Sequence, residues 1–422
     1  MFLTCLNRCW KMRKTNDFPT QIQPDYIKLD TRRAIRVSYF VLAVSICFLF
    51  LFIHALQGSS PFTPSKYNSY VLQAMQWRKG KIALEYDVSH LELAIYNGEY
   101  YVSFPPVPTI PIYILSFIFD KNIPDTLLLQ IYALLSCLLL HRVFLKRFGI
   151  VHSSTLSFLC CFSSSLLPIL QNGAVWYQAQ VLGFLFMVWA IERMNFDKPT
   201  VSLFLYALSV GCRPFNAIYG PLLMIFYIKR KRNFRLALRK LLPSILLGLS
   251  VAFFYGYYNY IRFGNILEFG HNYLPEFSFQ GGQQFSFLHL SDNIRRFVFG
   301  SPIIKGFKGI ELEKFGFSLF IANPLFIVIL LVFIYNIIKK SITQRDTLII
   351  VFCVFHMFML LLHRTGGGYQ YGARYYVDCL PYCYIYLMSK PKAPKWIKLT
   401  SLILLILGLI SSTVGSCFVY LD

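Results

Sequence analysis

An all-α, polytopic bundle of transmembrane helices is the fold class this sequence predicts, and three observations carry the prediction. Hydrophobic residues make up 56% of the 422 and charged residues only 14%, with a mean hydropathy of +0.52; a soluble domain carries roughly 25% charge. Apolar runs of roughly 20 residues recur, enough to cross ~30 Å of hydrocarbon as helices, and they lack the alternation of membrane-barrel strands. The net charge of +22 is sorted by side: 26 of the 41 Lys and Arg fall in 1–35, 141–153, 192–200, 229–240, 339–345 and 390–398. Most of these are short connectors, where positive-inside bias acts. The basic surplus is therefore a topology signal, and nucleic acid is not an expected partner.

Residues 1–35 form a basic arm (Arg8, Lys11, Arg13, Lys14, Lys28, Arg32, Arg33) expected in the cytoplasm, ahead of a transmembrane domain over 36–422. About 11 spans are predicted: 36–56, 127–140, 155–170, one ending near 194, 201–210, one returning to 228, 241–258, 317–338, 347–362, one from near 375, and 399–420. The first apolar run is long enough to act as an anchor rather than a cleaved signal. In the loop after it, 68–79 reads as an interfacial helix with Val71, Leu72, Met75 and Trp77 on its apolar side, or as a loop helix packed on the bundle. Residues 104–119 open with Pro-Pro-Val-Pro and are apolar too briefly for a crossing, so they are expected to be re-entrant or surface-lying. With that segment excluded, His141–Arg147 and Lys229–Arg232 fall on the basic side. Of the 11 cysteines, Cys5 and Cys9 lie in the arm and the rest in or beside spans, so no disulfide framework is expected. Cys5 and Cys9 are half of a zinc site with no second pair. The compact basic connectors make a bacterial plasma membrane, N-terminus inside, the expected location.

Polar residues concentrate in the loops of the other side, 57–126, 259–316 and 363–374, together with Gln171–Tyr177 and Arg213. The first carries Glu85, Asp87, His90, Glu92 and Glu99 among aromatics and prolines. The second opens Tyr258-Asn-Tyr-Ile-Arg-Phe-Gly-Asn-Ile-Leu-Glu-Phe-Gly-His-Asn-Tyr273. The third runs Gly366-Gly-Gly-Tyr-Gln-Tyr-Gly-Ala-Arg-Tyr-Tyr-Val-Asp378. Chemistry is expected on this outer face.

The order Tyr96-Asn-Gly-Glu-Tyr-Tyr, Phe104-Pro-Pro-Val-Pro, Arg213-Pro, Tyr258 to Gly270, then Gly366 to Pro381 resembles the GT-C superfamily. These are polytopic glycosyltransferases fed by polyprenyl-phosphate sugars, relatives of protein mannosyltransferases and lipid A aminoarabinose transferases. The resemblance implies a membrane enzyme of cell-envelope polysaccharide biosynthesis, taking a polyprenyl-phosphate sugar donor and a lipid, glycan or protein acceptor. Such transferases often place an acidic residue or pair just after the first span; here the segment reads Pro64-Ser-Lys-Tyr-Asn-Ser-Tyr70, with no carboxylate. Some relatives hold a divalent cation on such acids, so its absence lowers that expectation, and no metal or cofactor is assigned.

The chemistry so implied needs a carboxylate to take a proton from the attacking hydroxyl, and Asp87 and Glu92 are the nearest candidates. A departing phosphate suits forked guanidinium donors, here Arg213, Arg364 and Arg374. His271 and His363 are candidates to orient a hydroxyl or phosphate, Tyr96 and Tyr100 to stack on a sugar, and Gly367 to let backbone approach the ligand. Blander roles compete: solvated acids, arginines snorkelling at span ends, an interfacial aromatic belt, and an Arg213–Asp378 ion pair. Two other functions fit the same topology, a polymerase or ligase of lipid-linked glycans and a transporter or flippase. A transporter would put polar groups at broken mid-membrane helices.

Overall fold

The computed structural model describes residues 29–88, 90–231, 233–278, 283–306, 309–389 and 393–418. The arm through residue 28, with Cys5 and Cys9, lies outside them. In chain order the main elements are α1 (Leu29–Gln57), α2 (Ser69–Arg78), β1 (Leu93–Tyr96), β2 (Glu99–Val102), α3 (Thr109–Phe119), α4 (Asp125–Phe144), α5 (Ile150–Phe162), α6 (Val175–Asn195), α7 (Pro199–Val210), α8 (Gly220–Arg230) and α9 (Phe234–Phe263). They continue with α10 (Leu290–Phe297), β3 (Ile303–Gly306), β4 (Gly309–Leu312), α11 (Leu325–Ile338), α12 (Gln344–Leu361), α13 (Leu380–Ser389) and α14 (Lys395–Phe418). The two small sheets are antiparallel hairpins.

Among the described residues, six helices are long and apolar enough to cross a membrane: α1, α4, α6, α9, α12 and α14. The other five expected spans form shorter helices, α5, α7, α8, α11 and α13, of 10 to 14 residues. At 1.5 Å per residue they reach about 15–21 Å, short of the hydrocarbon thickness. Local chemistry explains the breaks. After α5 comes Ser163-Ser164-Ser165, and the Ser164 hydroxyl bonds back to Cys161 O (2.7 Å) while accepting from Leu166 N (3.3 Å). Pro214 opens a 3-10 turn, Pro214–Tyr219, before α8. A second, Arg374–Cys379, precedes α13, and Pro324 starts α11.

The outward faces of α1 and α9 display Phe40, Phe48, Leu51, Leu242, Leu246, Leu249, Phe253 and Phe254, all exposed. Apolar surface on that scale is stable only against lipid, so the chain is an integral membrane protein. Helix α6 runs through the middle, buried along most of its length and packed against α4 and α7. Helix α9 starts earlier than expected, where the Asn233 side chain caps its first turn by accepting from Leu236 N (3.1 Å), and it runs on until Gly264 turns left-handed (φ 67°). Part of the basic connector is therefore helical. The nine cysteines among the described residues are unbridged.

The first long loop is a folded layer. Helix α2 does form, but the side it buries carries Gln73 and Gln76 with Tyr70 and Ala74, while Val71, Leu72, Met75 and Trp77 are half-buried. It packs on α3 through Trp77 and Tyr113 (ring centroids 6.1 Å) and the Arg78–Asp120 pair (2.9 Å), which corresponds to a loop helix seated on the bundle. Helix α3 has only 11 residues, as its prolines and brevity foretold. Asn97-Gly98, both at positive φ, turn β1 into β2. Arg262, at the end of α9, ties this hairpin down by donating to Val102 O (2.8 Å).

Candidate active site

At the end of the bundle carrying the long loops, a cavity of about 450 Å³ opens between segments far apart in sequence. Phe104 and Pro105 come from the first loop, Trp176 from α6, Arg213 to Phe215 from the α7–α8 break, and Leu267 to Asn272 from the second loop. Gln284 and Phe285 follow from the same loop, Phe355 to His363 from α12 and its end, and Arg374 and Tyr375 from the second 3-10 turn. The lining is mostly apolar with a few convergent polar groups, the usual make-up of a ligand site.

Two arginines dominate its charge. Arg213 donates through Nε to Asp378 Oδ2 (3.0 Å), and Gln180 donates to Asp378 Oδ1 (3.4 Å). Arg374 is 2% exposed, and its Nε and Nη1 have no hydrogen-bond partner. Both guanidiniums lie against one ring, Tyr375, at 4.8 and 4.7 Å from its centroid. The backbone at Arg374 is fixed from two sides: Gln180 takes its carbonyl (2.6 Å) and its N–H donates to Gln370 Oε1 (3.2 Å). A buried cation with unused donors is costly in an empty site and strongly attractive to an anion.

Two histidines face this charge in neutral form. His271 is pushed down to about 4, chiefly by burial, with the positive charge of Arg364 adding to the fall. Burial likewise lowers His363, whose Nδ1 lies 2.9 Å from Thr365 O and whose Nε2 lies 3.1 Å from the Gln284 amide nitrogen. The Thr365 N–H also points at Nδ1 (3.2 Å), so the ring is held between the Thr365 backbone and the Gln284 side chain. Arg364 stays outside the cavity wall: it donates to His271 O (3.2 Å) and stacks over Phe277, holding the His271 loop.

Glu92 stands beside the cavity, its Oε2 accepting from Trp176 Nε1 (2.7 Å). Solvent reaches its side chain, yet the surrounding protein raises its carboxyl above the usual 4.5 by desolvation. Repulsion from Glu276 adds to the rise, while the Trp176 bond and the Arg374 charge oppose it. Glu268 lines the cavity directly, but both its oxygens are spent on its own loop, at Gly270 N and Asn272 Nδ2 (2.7 Å each).

The sequence candidates thus divide. Arg213, His271 and Arg374 line one cavity with His363, and Glu92 touches its wall. Asp87 is exposed and does not line it. Tyr96 packs on Tyr273 and Phe263 (4.6 and 5.9 Å), and Tyr100 packs with the Tyr70–Leu84 cluster, so neither ring faces the cavity. Gly367 also lies off the wall. Its loop is glycine-rich for packing: a Cβ at Gly366 would sit 2.0 Å from the Phe297 ring, and one at Gly367 2.9 Å from the Gln370 amide. Trp176, Gln180 and Tyr375 escaped sequence reasoning because nothing in their local pattern marks them. Asp125 escaped too. Fully buried at the start of α4, it accepts from Ser65 N (3.0 Å) and Asn68 Nδ2 (2.9 Å). The Pro64–Tyr70 segment, itself without a carboxylate, thus receives one from Asp125. Among the described residues, no three His, Cys, Asp or Glu side chains stand together as a metal cluster would need.

No family model and no curated protein matches this chain. Among solved structures, the cryo-EM structure of arabinosyltransferase EmbB from Mycobacterium smegmatis aligns with 93% of this chain and 33% of its own, at a TM-score of 0.45 and 13% identity. The chain spans about a third of the length of that protein. A likeness that loose fixes neither activity nor substrate.

Proposed function

We propose that this chain is a membrane glycosyltransferase of the GT-C kind, moving a sugar from a polyprenyl-phosphate donor to an acceptor hydroxyl on a lipid, glycan or protein at the outer face. The observation that carries this is Arg374, buried in the cavity wall with two guanidinium nitrogens unpartnered, beside Arg213 on the shared Tyr375 ring. That is a site prepared for a phosphate. The cavity also has an apolar side: Phe355 and Leu267, 50% and 77% exposed, line it while belonging to the outer surface. A lipid-borne group can therefore enter sideways from the membrane.

In this mechanism the Glu92 carboxylate takes the proton of the acceptor hydroxyl. The freed oxygen bonds to the anomeric carbon as the bond from that carbon to the phosphate oxygen breaks. Polyprenyl phosphate leaves with the electron pair, its charge met by Arg374 and Arg213. Neutral His271 and His363 contact sugar hydroxyls, Trp176 offers a ring face to the sugar, and Asp87 is the second candidate base. The chemistry needs no cofactor.

The test uses the full chain in liposomes with radiolabelled polyprenyl-phosphate pentoses and hexoses, following release of free polyprenyl phosphate. Release should occur with at least one donor and fall roughly 10²–10³-fold in Arg374→Ala, as for other charge-stabilising donors. No release with any donor, or full rates in both Arg374→Ala and Glu92→Gln, overturns the proposal. A flippase is the second reading, favoured by the helix breaks at Arg213-Pro214 and Arg374, where ionisable groups meet non-helical backbone. It predicts transbilayer movement of the same lipids without release.

A further inference from the structure

A feature outside the catalytic proposal lies on the loop between α9 and α10. Gln284 to Ser286 is laced along the end of α12 by backbone bonds: Arg364 N to Gln284 O and Ser286 N to Leu362 O, 2.9 Å each. The Ser286 side chain then caps a 3-10 turn, Phe287–His289, by accepting from Leu288 N (3.2 Å). This firmly held turn presents two adjacent apolar side chains outward, Phe287 at 73% and Leu288 at 86% exposed. Such a pair on a pinned backbone is a poor fit to water, since removing apolar side chains from it is favourable.

Its position says what covers it. The outward stripe of α12 runs Val351, Val354, Phe355 and Phe358, spaced three and four residues apart and all exposed, as on a lipid-facing helix. Phe287 packs on Phe358, the last of these, with ring centroids 6.4 Å apart. The turn therefore extends the lipid-facing stripe beyond the helix end. Helix α10 follows directly, fastened there by Asn293 Nδ2 donating to Leu361 O and His363 O (2.9 and 2.8 Å), with Asp292 and Arg295 exposed. Apolar residues followed by polar and charged ones suit the boundary between acyl chains and headgroups.

We propose that the Phe287–His289 turn inserts Phe287 and Leu288 into the adjoining lipid leaflet, with Arg295 at headgroup level, as a fixed anchor beside the cavity entrance. Phe285, next to the turn, and Phe355, on the stripe itself, line the cavity, so this anchor sets the depth at which the entrance meets the lipids. The inference concerns the bilayer alone and stands or falls independently of any transfer reaction.

The test places single tryptophans, Phe287→Trp, Leu288→Trp and Asp292→Trp, in the full chain reconstituted in vesicles of zwitterionic and anionic phosphatidyl lipids. Emission is compared with the unsubstituted chain. The first two should add blue-shifted emission that lipids brominated near the headgroup quench and aqueous acrylamide does not, whereas Asp292→Trp should show the reverse. Acrylamide quenching of both Phe287→Trp and Leu288→Trp, with no loss to brominated lipid, overturns the anchor.

Discussion

At the residue scale the site turns on how burial and charge compete around single side chains. Arg374→Lys keeps the charge but loses the planar fork, so transfer should drop well below wild type while the protein stays folded; a thermal-unfolding scan beside the rate checks this. Glu92 gives a pH dependence of defined sign. Its folded pKa lies above the usual 4.5, so a base at this position is lost as pH falls through that raised value, and the acid limb of kcat/KM should lie above 4.5 and vanish in Glu92→Gln. Trp176→Phe removes a hydrogen bond that favours the charged carboxylate, so it should move the limb higher still. The linked stability runs the other way. Below 4.5 the carboxyl is protonated folded and unfolded alike, and as pH rises from 4.5 to the folded pKa the unfolded chain ionises first, so stability falls across that window. None of this was legible from Glu92 itself, which in sequence is one of several loop acids.

At the element scale, the long apolar helices were legible because periodicity and length are local properties. The interruption at Pro214 was legible because proline marks it, whereas Ser163–Ser165 break a span that hydropathy alone carries across 155–170. What the elements do for the site was less so. The 363–374 glycines suggest a ligand-cradling loop, whereas Gly366 and Gly372 let backbone press against Phe297 and Ala322. The α4 start and the turn before α6 are packed as tightly: a Cβ at Gly173 would lie 2.0 Å from Asp125 Oδ1. Gly173→Ala should therefore destabilise the protein by about 1–3 kcal/mol, the usual cost of overpacking, read as a lowered midpoint of thermal unfolding in detergent. Asp125→Ala leaves the buried Asn68 amide and Ser65 N–H without their acceptor and should cost about 1–3 kcal/mol as well.

At the scale of the whole molecule, charge sidedness leads to a topological prediction. Glu99→Cys, in the hairpin, should react with an impermeant maleimide from the face opposite to Lys231→Cys, in the basic connector; labelling of both from one face would refute the assigned orientation. The sequence by itself determined the class of the molecule, a helical membrane protein with basic connectors on one side and polar loops on the other, because hydropathy and charge act on each segment separately. It also named Arg213 and Asp378 as out of place among apolar neighbours, since burying an ionisable group needs a reason wherever it occurs, and it named His271 and Arg374 as candidates in the polar loops. Only the tertiary structure decided which of these meet. The cavity draws on seven stretches between Phe104 and Tyr375, and such convergence depends on how helices cross and where they break, which no local pattern encodes. For the same reason Glu92 and not Asp87 reaches the cavity wall: Glu92 bonds to Trp176, whereas Asp87 is exposed away from the lining.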